Sequence, residues 1–438
     1  MKTFVCCLTL SLCALTAAGQ AQSLMDAQRD SILSSHRVIA VDSDGHVSSA
    51  RQYNDSIRAV IAEFYYDQFR SFYDPEAPYF LFMSRDASLA MGIGGAVRMR
   101  GYFDWHGAMP SPGFAPYMIP MNPGPADLRH FGTTPSGTCL FFRVIGRNKQ
   151  LGHYQLYIEA NFTGYDSRDF KLKKAYAQVR DFTIGYDVTT FSDPAALPPM
   201  VDSQGPANKI APANVLVRYM PRLSERWVLA VSAETPKTAI GGDASQVKAI
   251  QNWIPDAAAF IQYEWGPTNH VRLAGIVRSL SYRDLVNPSN HHRAGWGVAL
   301  STVNHPNRWL TTYISANYGH GYASMGGDLA IGPYDLIANP DRPGRLYSPA
   351  TLGYCVGVQW NFRPNLFVSA SVSQTHLFAA KAVEPSEYKR GIKAAVNCFW
   401  NLTPRIQVGI EYDWGQRVNH DGEHRHTSRI GAMTMFSF

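Results

Sequence analysis

Basic side chains recur in this 438-residue chain at a spacing that could build an electrostatic filter. Arg98, Arg100, Arg143, Lys174, Arg218, Arg425 and Arg429 fall on the polar face of a period-two pattern, joined by Arg272, Arg278, Lys389 and Lys393. Five carboxylates share that face: Glu159, Asp256, Glu264, Glu411 and Asp413. Like charges ringing a water-filled passage select solutes by sign, and low-dielectric walls focus their field. The excess of cations therefore predicts a preference for anions. Other chemistries find little support. His424 with His426, and His291 with His292, have no Cys and few carboxylates nearby to complete a metal site. No Gly-Lys-Ser/Thr phosphate loop, Gly-x-Ser-x-Gly elbow or His-Glu-x-x-His pair occurs. Neither an enzyme, a metal site nor a cofactor is expected, and a formal charge of +6 gives no reason to expect a nucleic-acid partner.

A filter needs a wall whose two faces meet different surroundings. From Ser88 to the last residue, apolar and polar positions alternate, as they do in a strand with lipid on one side and water on the other. Met91–Asp104 sets Ile93, Val97, Met99 and Phe103 against Arg98, Arg100, Tyr102 and Asp104. Tyr154–Gly164 repeats this with Leu156, Ile158 and Phe162 against Gln155, Tyr157 and Glu159. Comparable segments span 138–147, 171–180, 182–188, 213–222, 226–236, 255–266 and 270–282, then 292–303, 308–321, 350–362, 366–377, 388–402, 405–418 and 424–438, sixteen in all.

Long connections at 105–137, 189–212, 237–254, 283–291 and 322–349 are separated by short ones at 148–152, 223–225, 267–269, 305–307, 363–365 and 403–404. Outer-membrane barrels alternate their loops in this way. Past the N-terminus no run of about 18 apolar residues offers a helical span. Only a closed barrel leaves no strand edge unpaired in lipid. The expected fold of 88–438 is an all-β, antiparallel transmembrane barrel of about sixteen strands.

The N-terminus carries Lys2, an apolar run from Phe4 to Ala18, and small residues up to Ala21, the layout of a signal peptide over 1–21. Within 22–87, Ile57, Val60, Ile61, Phe64, Phe69 and Phe72 recur at helical spacing. They predict one amphipathic helix from about Ser49 to Tyr73, stopped by Asp74-Pro75 and lying on the periplasmic side. Export leaves Cys139, Cys355 and Cys398, too few and too scattered for a disulfide framework. The last strand sets Ile430, Ala432, Thr434, Phe436 and Phe438 on one face, resembling the terminal assembly signal of bacterial outer-membrane proteins. An even strand count then puts both termini in the periplasm.

The connection at 187–212 carries Asp187, Thr190, Phe191 and Asp193, several prolines, and then Asp202, Gly205 and Pro206. Its position and length resemble the third loop of trimeric porins, which folds inward and narrows the channel. The Thr-Phe-x-Asp stretch followed by Asp-x-x-Gly-Pro resembles the DcaP-like porins. That resemblance covers 88–438 and implies a homotrimer in outer-membrane lipid that passes small anionic solutes. The N-terminus departs from the pattern, since relatives carry a longer coiled coil and this helix shows no sustained heptad.

On this reading Arg425 and Arg429 of the last strand neighbour Arg98 and Arg100 of the first, making a basic wall. Asp187, Asp193 and Asp202 on the infolded loop would face it across water and set up a transverse field. Passive diffusion of small polar solutes is the expected function. A barrel enzyme would need a nucleophile paired with His at a strand end, which the alternation does not supply. A barrel plugged by the N-terminal helix would gain conductance when 22–74 is deleted.

Overall fold

The computed structural model describes residues 38–40, 80–84, 89–148, 150–163, 169–266, 268–381 and 383–438. The signal segment and the helix expected over 49–73 lie outside these residues. Sixteen strands make the wall. The first eight are β1 (Leu89–Trp105), β2 (Cys139–Asn148), β3 (Gly152–Thr163), β4 (Asp169–Val179), β5 (Phe182–Val188), β6 (Ala213–Tyr219), β7 (Trp227–Glu234) and β8 (Asp256–Trp265). The second eight are β9 (Asn269–Asp284), β10 (Ser289–Asn307), β11 (Leu310–His320), β12 (Ala350–Arg363), β13 (Leu366–Phe378), β14 (Tyr388–Thr403), β15 (Ile406–Asn419) and β16 (His424–Ser437).

Each strand pairs antiparallel with the next. The ring closes where β16 meets β1, from Ser428 opposite Trp105 to Ser437 opposite Ala96. Alternation places the side chains as the sequence predicts. On β1, Val97 and Met99 face outward and are about half exposed, while Arg100 and Asp104 are buried on the inner side. Outward-facing Leu, Ile, Val and Phe are costly in water but at ease in hydrocarbon. Trp227, Trp360 and Trp400 lie exposed toward the end with short turns, and Trp296 and Tyr318 toward the end with long loops, as interfacial aromatic girdles require.

Three features differ from expectation. The connection at 283–291 is not long: β9 and β10 stay paired up to Asp284 opposite Ser289, leaving only 285–288 as the turn. The connection at 105–137 is not all loop, because Arg129–Thr134 pairs with the upper half of β1 and continues the line of β2 past a break at 135–138. A strand also precedes residue 88. Phe80–Met83 pairs with Ile93 to Ala90 directly beyond Phe438, whose backbone is bonded to Gly95, and Val38–Ala40 adds in parallel. The lower end of β1 outruns β16, and its open edge takes a partner.

Wall height is uneven. β5, β6 and β7 have 7, 7 and 8 residues, whereas β9 and β10 have 16 and 19. The loops at 106–138, 189–212 and 321–349 pack inside the barrel. Phe191 packs with Met220, Phe260 and Tyr322, and Phe114 with Met109 and Ile119.

Candidate functional site

The loop at 189–212 leaves the wall at β5 and crosses the lumen. Its root is closed by the Thr189 amide donating to the Pro212 carbonyl at 3.0 Å. Next, Asp193 accepts from His270 Nε2 at 2.9 Å and Ser301 Oγ at 2.5 Å, with Arg272 at 3.5 Å. On the far side Pro199 accepts from Ser369 and Asn397, while the Val201 and Asp202 amides donate to the Glu411 carboxylate at 2.7 and 2.6 Å. Gly205 accepts from Lys393 Nζ, and the Ala207 amide donates to Ser373. A segment without regular structure is thus fixed by side chains from several strands, which satisfies its buried backbone.

The Asp-x-x-Gly-Pro stretch now has a physical reading. Asp202 Oδ1 accepts from the Gln204 amide at 2.8 Å, closing a turn on itself. Gly205 has φ +76, the left-handed region that glycine enters without strain. The turn thrusts the Asp202 carboxylate at the wall, 3.1 Å from Arg100, 3.7 Å from Arg429 and 3.9 Å from Lys393. Burial alone would raise its pKa, but Lys393, Arg100 and Arg429 together hold it well below the usual carboxylate range.

The expected transverse field is therefore not present as drawn. Asp187 belongs to β5 itself and meets Arg218 at 2.9 Å and Lys174 at 3.6 Å. Asp202 touches Arg100 and Arg429 of the wall it was to face across water, and Asp193 is held by His270 and Arg272 instead. Opposite charges in a lumen of limited width gain more by contact than by standing apart. Of the seven basic residues, Arg98, Arg100 and Arg429 gather at the loop tip, and Lys174 and Arg218 at its root.

Two lie elsewhere. Arg143 donates to Gln155 at 2.9 Å in a polar rung with Gln178 and Thr183. Arg425 is exposed at the rim, donating to the Met121 carbonyl. Lys389 sits at a register shift between Tyr388 and Arg390, where strict alternation is interrupted. Pro206 carries the chain out of the turn and accepts from the Lys209 amide.

Beside the tip lies a cavity of about 790 Å³, bordered by Arg98, Lys173, Lys209, Glu159 and Gln204, and by Phe367, Phe399, Met433 and Met435. Glu159 is answered by Lys173 at 2.6 Å. Arg98 donates to the Val201 carbonyl, and to Met433 Sδ at 3.3 Å; Lys209 Nζ donates to the Ser203 carbonyl at 3.1 Å. Neither has a carboxylate within 4.0 Å among the described residues. Burial, then the nearby charges of Lys173, Lys393 and Arg98, lowers the Lys209 ammonium to about 8 against the pull of Asp202. Sequence reasoning missed Lys209, because alternation says nothing about which loop residues face the lumen. A second hollow of about 1100 Å³ lies at the loop end, lined by Tyr102, Ile119, His130 and Arg417 among others. Among the described residues no group of three or more His, Cys, Asp or Glu could hold a metal ion.

Comparison with known proteins agrees with this architecture. The family described as DcaP outer membrane protein matches residues 145–438. Among solved structures, the outer membrane channel DcaP of Acinetobacter baumannii superposes with a TM-score of 0.70 at 19% identity, covering 82% of this chain and 99% of that one. OprB of Pseudomonas putida gives 0.51 at 9% identity, covering 80% and 94%. Outer-membrane expressed OmpT of Vibrio cholerae gives 0.50 at 9%, covering 81% and 100%. At such identities these structures speak for the barrel alone. No curated protein matches the sequence.

Proposed function

The chain belongs to the DcaP outer membrane protein family, and from that premise we propose that it is a porin that lets small polar solutes diffuse passively, favouring anions. One observation carries the preference: Arg98 and Lys209 border the cavity with no carboxylate within 4.0 Å of either among the described residues, while the cavity's Glu159 is already paired with Lys173. The buried ion pairs of the loop tip cancel one another and leave this local excess of positive charge to act on solutes.

The reading places the short turns in the periplasm and the long loops outside, with both termini periplasmic and the chain a homotrimer in outer-membrane lipid. It assigns no chemical step to the barrel. A potassium chloride gradient across a planar bilayer tests the selectivity: the reversal potential should shift toward anions, and a cation-ward shift refutes it. Native mass measurement in detergent tests the trimer. Deleting 22–74 tests the plugged alternative, which requires conductance to appear only after the deletion.

A further inference from the structure

The carboxylates of the infolded loops are not alike. Asp193 meets His270 and Arg272, Asp202 meets Arg100, Arg429 and Lys393, and Asp335 meets Arg278 at 3.0 Å. Asp328, on the loop at 321–349, is buried as deeply, yet no cationic nitrogen lies within 4.0 Å of its carboxylate among the described residues. Its partners are neutral. Oδ1 accepts from the Tyr117 amide at 2.8 Å, and Oδ2 accepts from Tyr388 Oη and from Thr375 Oγ1 at 3.3 Å. The two hydroxyls lie 2.7 Å from each other, so a chain of hydroxyls runs on behind the carboxyl group.

Asp328 also sits where three loops meet. Its own amide donates to the Ala207 carbonyl at 2.8 Å and the Gly327 amide to the Lys209 carbonyl at 2.5 Å, so residues 327–328 grip the loop at 189–212. The two chains run so close that a Cβ on Gly327 would fall 2.1 Å from the Ala207 oxygen. Tyr117 belongs to the loop at 106–138, and Arg417 of β15 fixes it, donating to its carbonyl at 2.7 Å with the guanidinium 5.4 Å from its ring. Thr375 stands on β13 and Tyr388 on β14. One carboxyl group thus ties three loops to the wall.

A guanidinium or ammonium only donates, so it opposes protonation of the carboxylate beside it, whereas a hydroxyl both donates and accepts. When Asp328 takes a proton on Oδ2, Tyr388 Oη can accept it and turn its own hydrogen to Thr375, while Oδ1 keeps the Tyr117 amide. The junction stays satisfied in both states, and burial favours the neutral one. The other charges around it are engaged elsewhere: Lys393 of β14 with the Phe114 and Gly205 carbonyls, Glu387 with Tyr334, Lys209 with Ser203, Arg417 with Tyr117 and Asp335 with Arg278.

We propose that Asp328 is a proton-operated clamp: acid draws the three loops together and narrows the passage, and loss of the proton toward neutral pH loosens them. The clamp rests on the channel reading of the barrel and not on its anion preference. Burial raises the Asp328 carboxyl to about 6, the hydrogen bonds from Tyr388, Tyr117 and Thr375 and the charge of Lys393 keeping it from rising further. In a loosened loop the same group is solvated and titrates at its ordinary 3.8. The docked state therefore binds the proton more tightly. Its advantage is complete below 3.8 and gone above 6, and it falls about tenfold per pH unit between them.

Single-channel recording in planar bilayers at fixed potassium chloride, from about pH 4.5 to 7.5, tests this. In the wild type, currents should be quiet at acid pH, and the frequency of excursions to a wider state should climb about tenfold per pH unit and level off near pH 6. Asp328→Asn keeps the shape of the side chain and supplies the donor that the protonated acid would, so it should hold the quiet state at every pH. Tyr388→Phe removes a donor that favours the ionised form, so its response should level off above pH 6. That variant keeps the test decisive if the Asn variant fails to assemble. A wild-type response flat in pH, a full response retained in Asp328→Asn, or an unmoved one in Tyr388→Phe overturns the clamp. Conductance with no such pH response sinks the clamp and leaves the channel, whereas no conductance at any pH sinks both.

Discussion

Asp202 of the infolded loop stands 3.1 Å from Arg100 of β1, with both side chains almost wholly buried. This contact, reinforced by Arg429 and Lys393, binds the tip of the loop to the seam where the barrel closes.

Replacing Asp202 by Asn should loosen that tip and leave three cations without their shared partner. Removing one member of a buried pair typically costs about 3–5 kcal/mol, so the loop should undock before the barrel unfolds. Noisier single-channel currents, a higher mean conductance and a stronger anion preference are expected. Unchanged current noise and conductance would show that the pair does not hold the loop.

Anion preference should fall as pH rises through about 8. Lys209 is lowered to that value, so its ammonium is charged below it and neutral above it. Reversal potentials measured from pH 6.5 to 9.5 should therefore drift toward cations. Lys209→Arg should flatten the profile, and Lys209→Gln should give the high-pH value throughout.

Arg98→Gln should lower the chloride-to-potassium permeability ratio by about threefold, the effect of one unit charge a few ångströms from the solute path in a mostly aqueous dielectric. Arg143→Gln should change it far less, since Arg143 lies in the polar rung away from the loop tip. Equal effects would mean that charge anywhere in the lumen acts alike.

Gly205→Ala should destabilise the turn by about 1–2 kcal/mol, because it forces a side chain into left-handed backbone. The new Cβ would also fall 2.9 Å from Lys209 Cδ. Faster proteolysis within 199–209 in detergent, with the barrel intact, is the expected readout.

The wall was legible in the sequence because each strand residue reports its surroundings through one bit, lipid or water. All sixteen strands and the lumen placement of Arg100, Lys174, Arg218 and Arg429 follow from that rule. It is suspended wherever the backbone leaves period two, as at the register shift between Tyr388 and Arg390. Loops carry no such rule. The docking of Asp193 on His270 and the exposure of Lys209 to the cavity depend on residues tens of positions away. Of the three loop carboxylates set against the basic wall of Arg98, Arg100, Arg425 and Arg429, Asp202 alone meets it, by contact, while Asp187 and Asp193 find other cations, and only the folded loop reveals this.

The low flank at β5 to β7 has a consequence beyond the channel. A seven-residue strand extends about 23 Å along its own axis, and at a tilt of about 40° it rises less than the roughly 25 Å apolar band of an outer membrane. The neighbouring β9 and β10 overshoot that height. A flat slab of lipid can suit both flanks only if the cylinder leans toward its short side or the leaflets pinch there, so bilayer thickness acts as a lever on the posture of the whole molecule.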